Sequence, residues 1–319
     1  MSASPAISVA VATHNRAERL ARLLESLRRQ TIDSEAFEVV VADDGSRDAT
    51  STVLADEGRR GELRLTTLAL EESGGPARAR NAAWRATSAP IVAFTDDDCE
   101  AESGWLEALA AAASANPGAI VQGTTSPAPD ELGARGIFSR TLEVNELGPW
   151  FQTCNIAYPR SVLDELGGFD EETFGTPGGE DTDLAWRAMA NGADAVLAED
   201  ARVFHAVNYL GPAGALRFPL RWVDPIAVFG MHSGLREQLY RGIFWKRSHA
   251  LLFRALLGAG LARRFPPAAL LAYPYLKDVV LRTRRSGSAP ALAPFLAAQD
   301  VVEAYATVRG AVKHRVLVL

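Results

Sequence analysis

Cysteine and methionine are scarce in this chain, at two and three residues of 319. Cys99 and Cys154 sit in no C-x-x-C or similar spacing, so the sequence encodes neither a disulfide framework nor a structural zinc site. That usage fits a reducing cytoplasm. No uncharged apolar stretch approaches the roughly 20 residues that cross a bilayer. The nearest, residues 250–262, is short and interrupted by Arg254. Met1 to Pro5 place no basic residue ahead of an apolar run, so no secretory leader is expected. The expectation is a cytoplasmic protein, soluble or peripheral at the inner face of the membrane. Also missing are a G-x-G-x-x-G after the first strand pattern and a G-x-x-x-x-G-K-[ST] anywhere, which disfavours dinucleotide dehydrogenases and P-loop enzymes.

What is present is globular: 48% of residues are hydrophobic, enough for one large domain with a substantial appendage. The net charge of −6 conceals an asymmetry. Residues 1–201 carry 16 Lys+Arg against 34 Asp+Glu, and residues 202–319 carry 17 against 5. An acidic front argues against a nucleic-acid groove, and a basic, Leu-rich back suits an anionic membrane surface or an acidic partner.

Along the front, strand and helix patterns alternate. Ile7–Ala12 reads as a buried strand, followed by the polar turn Thr13-His14-Asn15-Arg16 and a helix with Leu20, Leu23, Leu24 and Leu27 at helical spacing. Phe37–Ala42 is a strand, Asp43-Asp44-Gly45-Ser46 a turn, and Asp48–Glu57 a helix. Leu63–Leu70 is a strand, Gly74-Gly75-Pro76 opens a helix through Ala86, and Ile91–Thr95 is a fourth strand. Parallel βαβ units with helices on both faces of one sheet are implied. Beyond them the pattern predicts a helix over Trp105–Ala115 and a short strand at Ala119–Gln122. An irregular insertion over residues 126–149 follows, with a helix around Ile137–Asn145. Next come a strand within Phe151–Tyr158, a helix over Arg160–Leu166, a helix from Glu180 to near Gly192, and short strands at Ala195–Leu197 and Arg202–Phe204.

The strand ends carry the chemistry. Thr13-His14-Asn15, Asp43-Asp44 and Asp96-Asp97-Asp98 fall on one edge of such a sheet, where open α/β folds form their crevices. Three successive carboxylates gain no stability from one another, so the triplet points to a cation, a divalent metal holding a phosphorylated ligand. A solvated acidic loop capping the next helix is the simpler reading of the triplet alone. Gly178-Gly179-Glu180-Asp181-Thr182-Asp183 likewise reads as a capped helix start or as a carboxylate facing the crevice, and three acids exceed what a cap needs. His205, alone, is an ordinary histidine.

The order of Ser8–Asn15, Val41–Ser46, Gly75–Asn81, Asp96-Asp97-Asp98, Gly167–Asp170 and Gly179–Leu184 resembles the family 2 glycosyltransferases of the GT-A fold. The match covers about two-thirds of the chain. The resemblance implies an α/β, GT-A type nucleotide-sugar-binding fold with a mainly parallel central sheet flanked by helices, and a C-terminal helical extension. It implies a catalytic domain over residues 1–210, nucleotide-binding to about residue 100 and acceptor-side from 101 to 210, with a basic, apolar helical extension over 211–319. The triplet corresponds to the D-x-D motif, which carries metal binding onto Asp96 and Asp98, with Asp97 near the ribose and His205 completing the metal site. Thr13, His14, Asn15, Asp44, Arg78 and Arg80 would surround the nucleotide, and Asp181 would be the catalytic base. Trp150, Asn155 and Glu180 are candidate contacts to the acceptor or donor sugar. The implied reaction is inverting transfer from a nucleoside-diphosphate sugar, a UDP-sugar favoured, to a hydroxyl acceptor. Mn²⁺ or Mg²⁺ would neutralise the leaving diphosphate, and an imidazole ligand leans toward Mn²⁺. A sugar-phosphate nucleotidyltransferase and a non-catalytic nucleotide-sugar-binding protein are the alternatives.

Behind His205 the resemblance ends. Leu216, Leu220 and Val223, then Leu235, Leu239, Ile243 and Phe244, recur at helical spacing among arginines and lysines, and residues 251–261 and 268–281 continue as apolar helices broken by prolines. Two readings stand: an anionic membrane surface met through residues 211–285, with Trp222, Phe244, Trp245, Tyr273 and Tyr275 at the interface, or a helical subdomain packed on the catalytic domain. On the first, a lipid-linked saccharide is the favoured acceptor. On the second, another hydroxyl compound takes its place.

Overall fold

The computed structural model describes residues 4–285 and 290–319. In chain order its elements are β1 (Ile7–Thr13), α1 (Ala17–Arg28), β2 (Phe37–Asp43), α2 (Thr50–Arg60), β3 (Leu65–Ala69), α3 (Pro76–Arg85), β4 (Ile91–Asp96), β5 (Cys99–Ala101), α4 (Trp105–Ala115), β6 (Ile120–Pro127), β7 (Ser139–Arg140) and β8 (Asn155–Pro159). They continue with α5 (Arg160–Leu166), α6 (Glu180–Ala190), β9 (Ala195–His205), β10 (Asn208–Tyr209), α7 (Gly211–Arg217), α8 (Val228–Met231), α9 (Arg247–Ala262), α10 (Tyr273–Arg285) and α11 (Ala293–His314). The chain divides into two compact units, one formed by residues up to Gly133 with Thr141–Val207, the other by Ala134–Arg140 with Asn208–Leu319.

The first unit is built on an eight-stranded sheet of order β3-β2-β1-β4-β8-β6-β9-β5. β1 pairs in parallel with β2 and β4, β2 with β3, and β6 with β9, whereas β8 runs antiparallel between β4 and β6, and β5 antiparallel to β9. Strands buried on both faces need apolar side chains at odd and even positions alike, which is why β1 and β2 read as continuous apolar runs. Val9, Val11, Val39 and Val41 face a core with Leu20, Leu23, Leu24 and Leu27 of α1 and Trp105, Leu106 and Leu109 of α4. Ala10, Val40, Val92 and Phe94 face the other core, closed by Ala77, Ala83 and Trp84 of α3, Leu163 of α5 and Leu184 and Ala188 of α6. The period-2 strands and 3.6-period helices thus meet in a three-layer sandwich.

Four local expectations are corrected. Residues 137–145 form no helix: the segment holds β7, and Val144 bridges to Thr125, because Gly133, Gly136 and the flanking polar residues supply no continuous apolar stripe. The expected pair of short strands at 195–204 is one strand, β9, which stays paired to β6 across a register shift between Gly123 and Thr124. Residues 235–244 are not a regular helix either. A 3₁₀ turn over Ser233–Gln238 gives way to positive φ at Arg241 and Gly242, and Tyr240 bridges to Phe244. Pro274 does not break a helix but lies in the first turn of α10, where its missing N–H costs nothing.

In the second unit, three of the aromatics expected at a membrane are half-buried and engage other rings, and one, Tyr275, is core. Trp222 and Trp245 approach with ring centroids 5.7 Å apart, Phe229 stands edge-on to Trp245 at 5.7 Å, and Phe244 lies 6.0 Å from Phe253. Tyr275 is buried and donates its hydroxyl to Asp300 Oδ2 at 3.0 Å. Buried Glu303 accepts from Trp245 Nε1 at 3.1 Å and from Lys246 Nζ at 2.7 and 2.9 Å. No helix among the described residues is long and apolar enough to cross a membrane.

Candidate active site

Strand register brings the polar strand ends to one edge. Thr13 pairs with Asp43 across β1–β2, and Ala12 with Asp96 across β1–β4, so the chain leaves the sheet at the same level three times. The next turn is held tightly. His14 Nδ1–H donates to the Asp44 carbonyl at 2.7 Å, leaving Nε2 to accept from Asn15 Nδ2 at 2.7 Å. Asn15 occupies the left-handed region at φ 52, which asparagine tolerates, and ties the second turn by donating its N–H to Ser46 Oγ (2.8 Å) and accepting from Arg47 N (2.7 Å). Asp44 accepts from Ser73 Oγ at 2.7 Å, Gly74 N at 2.9 Å and Gly75 N at 3.0 Å, fixing the loop that opens α3. Gly75 is obligatory there: its φ is 89, and a Cβ would press into the Gly175 carbonyl. Arg78 is exposed beside this loop, its guanidinium reaching the Glu72 carbonyl at 3.4 Å.

The three carboxylates have three different partners. Asp96 Oδ1 accepts from Arg80 at 2.7 Å, and the same guanidinium donates to Glu180 Oε1 at 2.8 Å. Burial alone would raise the Asp96 carboxyl, but Arg80 outweighs it and holds it below the ordinary range. Asp97 accepts from Thr13 Oγ1 at 2.8 Å and from Arg16 at 2.8 Å. It is buried, and that desolvation, with the charge of Asp98 added and Arg16 opposing, lifts it to about 6. Asp98 places one oxygen 2.9 Å from Arg16 and the other 3.5 Å from His205 Nε2.

The pairing of β5 with β9 makes that last contact. Cys99 lies directly opposite His205, and the Ala206 N–H donates to the Asp98 carbonyl at 2.9 Å, so residues more than a hundred positions apart are clamped together. His205 Nδ1 lies 2.8 Å from the Ala206 carbonyl and donates to it, which orients the ring with Nε2 toward Asp98. Asp98, Cys99 and His205 bring a carboxylate oxygen, a thiol sulfur and a ring nitrogen within 4.8 Å of one another. Asp96 is not in this group. Arg80 holds the Asp96 carboxylate at 2.7 Å. Burial keeps the Cys99 thiol well above its ordinary value, so it stands protonated at neutral pH.

Asp181 opens α6. Gly178 and Gly179, at φ 118 and 93, turn the chain so that Glu180, Asp181 and Asp183 all fall in the first helical turn. Their fates differ. Asp183 is buried and taken by Arg187 at 2.7 Å, and Glu180 is taken by Arg80 and by the Gly178 N–H at 2.6 Å. Among the described residues Asp181 accepts only from the Thr182 N–H at 2.8 Å and, more loosely, the Thr182 hydroxyl at 3.5 Å. Burial first and the neighbouring Glu180 charge second push its carboxyl up to about 7, with Asp96 adding to the repulsion and Arg80 opposing it.

Of the remaining candidates, Glu180 has both oxygens engaged, and Trp150 is half-buried with its carbonyl accepting from Thr182 Oγ1 at 2.9 Å. Asn155 is corrected: fully buried, it accepts from Trp105 Nε1 and donates to the carbonyls of Thr124 and Ala201, each at 2.8 Å, so it joins strands and has nothing to offer a sugar. Two residues at the site escaped sequence reasoning, Arg16 and Cys99. Each adjoins a motif residue, which was the only available signal.

A sequence model described as glycosyl transferase family 2 matches residues 8–169. A validoxylamine A glucosyltransferase from Streptomyces hygroscopicus subsp. jinggangensis is 34% identical over 223 residues, which is 59% of this chain and 52% of that protein. A pre-mycofactocin glycosyltransferase from Mycobacterium tuberculosis is 30% identical over 199 residues, 59% of this chain and 40% of that one. The chain therefore spans about half the length of these curated relatives. Among solved structures, the mannosyltransferase PcManGT from Pyrobaculum calidifontis, in complex with GDP-Man and Mn²⁺, superimposes with a TM-score of 0.59 at 23% identity, covering 98% of this chain and 88% of its own. Staphylococcus aureus TarS 1–349 in complex with UDP-GlcNAc gives 0.52 at 20% identity, covering 97% and 92%. These likenesses show the fold, which is of the GT-A type.

Proposed function

The chain belongs to glycosyl transferase family 2, and from that premise we propose that it is an inverting glycosyltransferase acting on a nucleoside-diphosphate sugar, a UDP-sugar favoured. The observation that carries the reading is the contrast within the first turn of α6: Glu180 and Asp183 are held by arginines, whereas Asp181 has no salt bridge among the described residues and is pushed up to about 7. A base poised near the working pH is what removal of a hydroxyl proton needs. In the proposed step the acceptor oxygen loses its proton to Asp181 and bonds to the anomeric carbon as the bond from that carbon to the diphosphate oxygen breaks. The configuration inverts in this single displacement.

The residues fit a divalent cation. His205 Nε2 faces Asp98 at 3.5 Å, and its ring is oriented by the bond from Nδ1 to the Ala206 carbonyl. Asp98 and His205 would hold Mn²⁺ or Mg²⁺, with Cys99 beside them and Asp96 kept on Arg80. Bound there, the ion would supply charge for the departing diphosphate. On the nucleotide side, Thr13, His14, Asn15, Asp44 and Asp97 act chiefly by shaping the strand-end loops, since their hydrogen bonds run among themselves, and exposed Arg78 offers a cation. Arg80 acts through the carboxylates it bridges. Trp150 is kept as an acceptor or donor-sugar contact. The acceptor is a hydroxyl compound, and a second unit seated on lipid would make it a lipid-linked saccharide.

The test is a panel of UDP- and GDP-sugars scored by thermal shift with Mn²⁺ and by nucleoside-diphosphate release, with the product anomer read by NMR. A donor at about 100 times its Kd should stabilise the fold by about 2.7 kcal/mol. Silence across the panel overturns the donor class. Release of pyrophosphate points to nucleotidyl transfer, and a retained anomer refutes the single displacement.

A further inference from the structure

α9, the 3₁₀ segment Pro266–Ala272 and α10 pack on one another. The packing is close: a Cβ on Gly258 would press on the Ala268 carbonyl and the Leu271 side chain. Leu252 and Ala255 of α9 and Tyr275 and Val279 of α10 are buried in a shared cluster with Ala304 of α11. That packing leaves large apolar side chains of the three segments bare. Leu257, Leu261, Phe265, Leu270, Tyr273 and Leu276 are 59, 49, 62, 74, 64 and 59% exposed. Scattered single leucines on a surface are ordinary, but six large apolar groups within twenty residues of chain form a patch of the kind that marks an interaction site.

The charge around this patch selects its partner. Residues 246–285 contain nine Lys and Arg and a single acid, Asp278, which is already held by Arg247 and Arg282. Arg263, Arg264, Lys277 and Arg284 are exposed and have no ion partner among the described residues. On α10, Lys277 and Arg284 fall on the face of Tyr273 and Val280, since four and eleven residues return close to the same direction at 3.6 per turn. Unpaired cations interleaved with bare apolar side chains on helices too short and too polar to cross a bilayer are the composition of an interfacial, monotopic surface. A soluble acidic protein would satisfy the cations but not six solvent-facing hydrophobes. An anionic bilayer satisfies both, phosphates at the headgroups and acyl chains beneath.

We infer that the surface formed by α9, residues 263–272 and α10 seats this protein on an anionic lipid bilayer, with Phe265 and Leu270 inserted and Arg263, Arg264, Lys277 and Arg284 on lipid phosphates. This deepens the proposed function and rests on it only in making a lipid-borne acceptor the natural one. It also narrows the sequence expectation, since Trp222, Trp245 and Tyr275 face the interior and the lipid surface lies within residues 247–285.

The experiment is co-sedimentation of the full chain with sucrose-loaded vesicles of phosphatidylcholine alone or with one-quarter phosphatidylglycerol, at low and high salt. Enrichment is expected on the anionic vesicles only, weakening as salt rises. Arg263→Glu with Arg264→Glu should lower the partition coefficient at least twentyfold, near fivefold for each cation lost. Phe265→Glu with Leu270→Glu should abolish binding at either salt while leaving the melting temperature unchanged. Equal binding to neutral vesicles, or none to anionic ones, overturns the proposal. So does a dimer in sedimentation velocity that the Phe265/Leu270 variant dissociates, for the patch is then a contact between copies. Donor-induced thermal shifts without vesicles are scored separately, so failure of the lipid surface and failure of the transferase reading leave different records.

Discussion

Replacing Asp181 by Asn keeps size and shape and removes the charge. Asp181 accepts from the Thr182 N–H at 2.8 Å and makes no ion pair, so the amide oxygen can accept the same bond and α6 should start unchanged. Loss of general-base catalysis costs about 10²- to 10⁴-fold in rate, roughly 3–5 kcal/mol of barrier. Stability should move the other way. In the unfolded chain this carboxyl titrates near 3.8 and in the folded chain at about 7, so its ionised form disfavours folding. Its contribution to stability therefore falls as pH rises between these values and is constant above them. At pH 8 the deficit has a ceiling on the order of 4 kcal/mol, shared with Glu180, at about 1.4 kcal/mol for each pKa unit. Asp181→Asn should melt at or above the wild-type temperature at pH 8 and match it near pH 4, while donor-induced stabilisation persists. The wild-type kcat/KM should rise with pH along a limb centred near 7, absent in the variant's residual rate. Wild-type turnover in the variant, or a flat wild-type profile from pH 5.5 to 8, would refute the assignment.

Asp98→Ala should lower Mn²⁺ affinity at least tenfold, counted as free Mn²⁺ by electron paramagnetic resonance, because it leaves His205 without its carboxylate. Arg16→Ala should raise that affinity severalfold in the same titration, since its guanidinium lies 2.9 Å from Asp98 and competes for the same charge. An unchanged or weaker affinity would show that Arg16 organises the carboxylates rather than competing for them. Gly168→Ala should destabilise the fold by about 2–3 kcal/mol, seen as a melting temperature roughly 5–10 °C lower, because a Cβ at φ 85 would collide with Asn81 and the Trp84 indole nitrogen. Glu303→Gln should cost about 2–3 kcal/mol at pH 7 in urea titration, since Lys246 loses the carboxylate charge that faces it at 2.7 and 2.9 Å. Burial alone would raise Glu303, but His249 and Lys246 hold it at about 2. Its stabilising contribution is therefore present above pH 4.5 and lost as pH falls from there through 2.

Most of the first unit was legible because its signals are local. β1, β2 and β4 carry apolar residues at odd and even positions alike through their middles since both sheet faces are covered, and α4 and α5 begin and end where the periodicity and the flanking glycines and proline put them. The misreadings arose where tertiary partners override a local pattern. Residues 137–145 have enough helix formers to suggest a turn or two of helix, but Val144 finds its hydrogen bonds on Thr125. The aromatics of the second unit looked interfacial because amphipathicity cannot say whether protein or lipid is the apolar neighbour. Trp222, Trp245 and Phe229 pack on one another, and leucines of α9 are left bare.

The site shows the same division at closer range. Which residue types matter could be read from the triplet and from the acids opening α6, but the division of labour among them could not, because it is set by the arginines that reach them. Arg80 takes Asp96 and Glu180, Arg187 takes Asp183, and Arg16 lies between Asp97 and Asp98. With those pairs made, Asp181 is pushed up to about 7 by burial and the Glu180 charge, and Asp98, while one oxygen meets Arg16, turns the other toward an imidazole. A further condition is hidden in β5, three residues long, too short to carry a periodicity. Its pairing with β9 sets Cys99 opposite His205, so a one-residue slip would turn the histidine to the other face of the sheet and dismantle the donor pair. The triplet is therefore a site only in the register that β5 and β9 impose, and an acidic run of the same composition without that pairing would be a solvated loop.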